Sequence, residues 1–185
     1  MNTFIKILFL FLPVLSFETA PAQENRWQLY PPGGIQWRVK PGDIHKDNIE
    51  MSGKYLSSVI HYGVNNDGSF YIRRDIVWPM LRTIPNNTHA SLTRSFGTDL
   101  VRMISINEKN VLAEKVDEIL LDGKITVKSS LSPGINLVRT LFPSTNQPVF
   151  CEKYVLTNTG IKTVAVEIPR LQSVFRNARG APPLP

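Results

Sequence analysis

The chain has 185 residues, 42% of them hydrophobic, and 21 Lys and Arg against 15 Asp and Glu give a formal charge of +6. The longest basic block is the Arg73-Arg74 pair, so the charge is mild basicity and argues against a nucleic-acid footprint. One cysteine, Cys151, excludes an internal disulfide; the length suits one domain, whose stability must come from packing.

Residues 1–22 read as a secretory signal peptide. Lys6 supplies the positive start, Ile7 to Phe17 form an apolar run broken by Pro13 and Ser16, and Ala20-Pro21-Ala22 offers a small-residue cleavage site. That run is shorter than the roughly 20 apolar residues a bilayer span needs. The expectation is an exported protein, periplasmic or extracellular, with no membrane span once the signal is removed. Residues 23–33 form an N-terminal lead-in, and 34–175 a single β domain.

Within that domain, PPGG at 31–34 and PGD at 41–43 bracket a short apolar strand, IQWRV. Next comes HKDNIEMSG, residues 45–53. In an extended chain its period of two puts His45 and Asp47 on one side and Glu50 on the other, so the three cannot converge. No second histidine lies at a metal-ligand pair spacing, and no metal is expected. Tyr55 to Val64, with Ile60, Tyr62 and Val64 on one face, then Asn65-Asn66-Asp67-Gly68, then Ser69 to Val77, reads as a hairpin.

YIRRDIVWPMLRTIPNNTH concentrates Arg73, Arg74, Asp75, Trp78, Arg82 and His89, a polar and aromatic mixture suited to a binding face or a domain interface. Arg73 and Asp75 share a strand face and form a structural ion pair on the plainest reading. Asn86-Asn87-Thr88 matches a glycosylation acceptor of low specificity.

NVLAEKVDEILLDGK supports two readings. The pairs Val111-Leu112, Lys115-Val116 and Ile119-Leu120 recur at a helical interval, leaving open a short helix near 111–121. Asp122-Gly123 followed by the alternating ITVKSS favours a strand pair instead. Ile135 with Leu137, and Val164 with Val166 and Ile168, continue the alternation, and turn residues separate the segments. The whole predicts an all-β antiparallel sandwich. Residues 176–185, rich in Pro and Gly, read as a linker or a truncated end.

Signatures of chemistry are scarce. There is no GxSxG elbow and no glycine-rich phosphate loop. Glu50, Asp75, Glu114, Asp117, Glu118 and Glu152 could pair for acid/base hydrolysis, yet spacing prefers no two of them, and no catalytic residue or cofactor is predicted. Trp27, Trp37 and Trp78 lie in or beside strands, as core residues or as platforms for sugar rings. Cys151, beside Val149 and Phe150, reads as a small buried hydrophobe.

The stretch WRVKPGDIHKDNIEMSGKYLSSVIHYGVNNDGSFYIRRDIVWPMLRTIPNNTHASL, followed by RTLFPS, CEKYVLTNTG and a final alternating strand, resembles the N-terminal β-sandwich of secreted bacterial six-hairpin glycosidases, over about residues 34–170. The resemblance implies a supersandwich-like domain that packs against an (α/α)6 catalytic barrel, in cis or in trans, with the catalytic carboxylates on the barrel. It carries no catalytic residue to this chain. It makes HKDNIEMSG a loop near the cleft or domain interface, and His45, Asp47, Glu50, Trp37, Trp78 and Arg74 the contact candidates. A free-standing carbohydrate-binding or adhesion module is the alternative, with carbohydrate as ligand.

Overall fold

The structure, a computed structural model, describes residues 25–78 and 92–172. The signal peptide, the 176–185 linker, Arg82, His89 and the acceptor at 86–88 lie outside them. The described chain is all-β and antiparallel. Thirteen strands and one short 3-10 helix, Leu100–Met103, make it up. β1 (Gln28–Leu29), β2 (Ile35–Arg38), β9 (Lys115–Leu121), β10 (Ile125–Ser132), β11 (Ile135–Pro143) and β12 (Phe150–Asn158) form one sheet in that order. β3 (His45–Ser52), β4 (Ser57–Val64), β5 (Phe70–Trp78) and β6 (Leu92–Phe96) form the facing one. A third, small sheet joins β13 (Val166–Glu167), β7 (Ser105–Ile106) and β8 (Lys109–Asn110).

Alternation decides which residues face inward. Trp37, Ile119, Val127, Arg139 and Tyr154 stand opposite one another across β2, β9, β10, β11 and β12. On the other sheet the corresponding row is Ile49, Ile60, Arg74 and Phe96. One apolar cluster joins the two sheets through Trp37, Met51, Ile60, Tyr62, Phe70, Ile119 and Leu141. A second, of Val101, Ile104, Ile106, Val111, Ile135 and Leu137, lies under the small sheet and the 3-10 helix.

Of the two readings left open for 111–121, the favoured strand holds: Lys115–Leu121 form β9, and a bulge explains the helical look. Lys128 pairs with Glu118 and Ser129 with Val116, so Asp117 is an extra residue. Val116 and Ile119, three apart, are therefore both buried in one extended segment. HKDNIEMSG, by contrast, is no loop, because residues 45–52 pair in unbroken register with β4 and form an edge strand. The final strand is also shorter than Val164 to Ile168, with Val166 and Ile168 exposed. The lead-in takes part in the fold, since Gln28 and Leu29 pair with Gln36 and Ile35.

The hairpins fall where turn chemistry puts them. Gly68 and Gly123 hold φ of 77° and 86° in the β4–β5 and β9–β10 turns, a region costly for residues with a Cβ. No helix among the described residues is long and apolar enough to cross a membrane.

Candidate functional site

Two arginines interrupt otherwise apolar inward rows. β5 places Phe70, Ile72, Arg74 and Ile76 on one face, and β11 places Ile135, Leu137, Arg139 and Leu141. A cation at an inward position must be paired, because an isolated buried charge costs many kcal/mol. Arg74 and Arg139 are only 3% and 0% exposed.

Their partners converge from distant parts of the chain. Arg139 contacts Glu114 Oε2 through Nη2, which also donates to Asp99 Oδ1 at 3.2 Å, while Ser129 Oγ donates to Glu114 Oε1 at 2.7 Å. The Arg139 guanidinium lies between Phe70 and Tyr154, 5.2 and 5.5 Å from the ring centroids. Phe70 belongs to the first apolar cluster and Tyr154 packs on the second, so the charge sits where the two cores meet. Burial pushes the Glu114 carboxyl pKa up, against the opposing pull of Arg139 and Ser129. Burial alone would lower the Arg139 pKa, but Glu114 and Asp99 outweigh it and raise it. Arg139 Nε and Nη1 have no hydrogen-bond partner among the described residues.

The network continues outward. Arg74 Nη2 donates to Glu152 Oε2 at 2.7 Å, its Nε also contacts Glu152, and its Nη1 donates to the Thr98 carbonyl at 2.9 Å. Tyr154 Oη donates to Glu152 Oε2 at 2.5 Å. Burial first, and Glu152 second, push the Tyr154 phenol pKa up, so it stays a donor across the ordinary pH range.

Glu152 and Arg74 open into a cleft of about 610 Å3 at the β6 and β12 edges of the two facing sheets. Its walls are largely apolar: Trp78, Phe96, Val149, Phe150 and Leu171. The Trp78 indole donates to the Pro148 carbonyl at 3.4 Å, which tethers the end of β5 to the segment leading into β12. An apolar concavity with a few fixed polar groups is the usual form of a binding or docking site. Compared with protein-family models, curated proteins and solved structures, the chain finds no match.

Of the six contact candidates, Arg74 and Trp78 meet in this cleft. The other four lie elsewhere. Trp37 is 1% exposed and belongs to the core, edge-on to Trp27 and to His45, so it presents no ring face to a ligand. Its indole donates to Asp43 Oδ2 at 3.2 Å, and Asp43 is held below the usual carboxylate range by the Lys40 backbone N–H first and by this bond after burial. His45 Nε2 and Asp47 Oδ2 are 3.2 Å apart on the same side of β3, while Glu50 faces the other way and accepts from Ser52 Oγ. β3 is the edge opposite β6 in its sheet, so this trio is remote from the cleft.

Arg73 and Asp75 form the expected ion pair at 3.3 Å, joined by His61, whose Nε2 lies 2.7 Å from Asp75 Oδ2 and whose Nδ1 meets Asn48. Glu114, Glu118 and Glu152 are held by Arg139, by Lys128 and by Arg74 respectively. Asp99, Tyr154 and Phe96 escaped sequence reasoning. Arg139 was findable: a charged residue in phase with Ile135, Leu137 and Leu141 announces a buried pair. Cys151 is half-buried, paired opposite Phe142.

Proposed function

We propose that this chain is a non-catalytic accessory β-sandwich of a carbohydrate-active enzyme, exported from the cell, that seats against an (α/α)6 catalytic domain in cis or in trans. The observation that carries it is the cleft at the sheet edge. Val149 and Leu171 there are each more than a third exposed, large apolar side chains that a partner surface would cover. The segment resemblance and the all-β antiparallel fold support the same reading.

A second reading draws on the polar part of the same cleft. Trp78 with Arg74 and Glu152 combines an indole with fixed donors and acceptors, the groups a sugar ring with one apolar face requires. It makes the chain a free-standing carbohydrate-binding module.

Sedimentation at increasing protein concentration separates the two. An uncovered docking face gives concentration-dependent association that Val149→Lys abolishes without lowering Tm. A strict monomer that binds a glycan saturably, and loses the binding in Trp78→Ala, overturns the first reading for the second. A strict monomer that binds none of a broad glycan panel overturns both.

A further inference from the structure

A second concavity, of about 770 Å3, lies between the β7–β8 hairpin and the β10–β11 turn, away from the cleft at Trp78. Its apolar lining comes from Ile106, Val111, Leu131 and Leu112, the last 86% exposed. Leu131 is the extra residue of a bulge, since Ser130 pairs with Asn136 and Ser132 with Ile135. Its polar lining includes Asn107, Asn110, Asn136, Ser130 and Ser132. Asn107 Oδ1 already accepts the Ala165 backbone N–H at 3.0 Å, and Asn110 Oδ1 accepts Ser105 Oγ at 2.9 Å. Both amides keep their NH2 donors, and each oxygen keeps a second lone pair.

Lys109 and Lys115 also line the groove, and neither forms an ion pair among the described residues. Glu114 turns inward to Arg139, and Asp117, Glu108 and Asp67 are not lining residues, although Asp117 accepts from Ser130 Oγ at 3.2 Å and Lys115, after the hydrogen bonds from Ser69, helps hold the Asp67 carboxyl low. Asn107 and Glu108 also hold positive φ, 48° and 65°, in the hairpin turn, and Asn107 is fixed there by backbone and side-chain bonds to Ala165. Both are the central residues of a two-residue hairpin loop, whose favoured turn takes positive φ at both positions.

We propose that this groove binds a small organic anion, its carboxylate met by the Lys109 and Lys115 ammonium groups and the Asn107 amide, its apolar body resting on Val111, Leu131 and Leu112. A volume of this size accommodates a ligand of small-molecule dimensions. The inference is independent of the accessory-domain reading, which concerns the other cleft.

The test is a backbone-amide NMR titration with octanoate, with octan-1-ol as the uncharged control. Octanoate shifts the amides of 106–115 and 130–136 saturably, octanol binds about tenfold or more weakly, and added salt weakens octanoate alone. Lys109→Gln with Lys115→Gln brings octanoate down to the octanol level. Both lysines are exposed, so the variant's dispersed spectrum reports an intact fold. Equal response to both probes, shifts confined to the Trp78 cleft, no saturable shift, or undiminished binding by the double variant each overturn the proposal.

Discussion

At the scale of single residues, the Arg139 cluster decides more than any apolar side chain. Breaking a buried pair by removing one partner leaves an uncompensated charge, at a cost of about 3–5 kcal/mol, whereas replacing both by apolar residues is often neutral. Arg139→Met alone therefore destabilises by roughly that amount, and Arg139→Met with Glu114→Leu recovers most of it. A double-mutant cycle in urea checks this; additive losses would remove the pair from the account. The outer-face Asp75 behaves differently. Ser95 first, then His61 and Arg73, hold its pKa below 3.8 against burial. A lowered folded pKa stabilises fully above the unfolded value, and the contribution is lost as pH falls through the folded one. Asp75→Asn therefore costs about 0.5–1 kcal/mol at neutral pH, and the gap to the wild type closes on acidification, read from urea midpoints at pH 7 and at about pH 3. Glu114 has the opposite sign. Its carboxyl is raised above 4.5, so ionising it as pH rises through the folded value costs native stability. Both arginines were legible as charges out of place in a period of two, but their partners were not. Glu114, Asp99 and Glu152 come from segments 25, 40 and 78 residues away from the arginine each meets, and no local pattern encodes such pairings.

At the scale of elements, turns and strand periods were the readable part. Asn65-Asn66-Asp67-Gly68 and Asp122-Gly123 form the hairpins their chemistry predicts, and Ile60, Tyr62, Val64, Ile125 and Val127 are all buried as alternation requires. β9 was ambiguous for a physical reason. A bulge inserts one residue, and an inward spacing of three then imitates a helix turn. Gly34 marks a constraint that only pairing reveals. It closes the β1–β2 connection at φ 102°, and a Cβ there would lie 2.2 Å from the Leu121 carbonyl oxygen of β9. Gly34→Ala must strain the backbone and push β2 from β9, costing about 1–3 kcal/mol. Thermal unfolding checks the loss. Slowed hydrogen exchange in β2 of the variant would refute it.

For the molecule as a whole, sequence by itself determined the class of fold. Period-two alternation and positive-φ turn residues are local, and they permit little besides antiparallel strands. It also determined that packing, not a disulfide, holds the domain, because one cysteine cannot bridge. Tertiary structure alone decided which strands are neighbours. β2 lies beside β9 across more than seventy residues, and that pairing buries Trp37 and removes it from any contact surface. It alone brought Arg74 and Trp78 together with Glu152 and Phe150 in one cleft while leaving His45, Asp47 and Glu50 on the opposite edge. The physical reason is common to all three. Whether a side chain points up or down is written in the chain within two residues, but what it meets depends on sheet order and register, which are set by burying the most apolar surface over the whole chain at once.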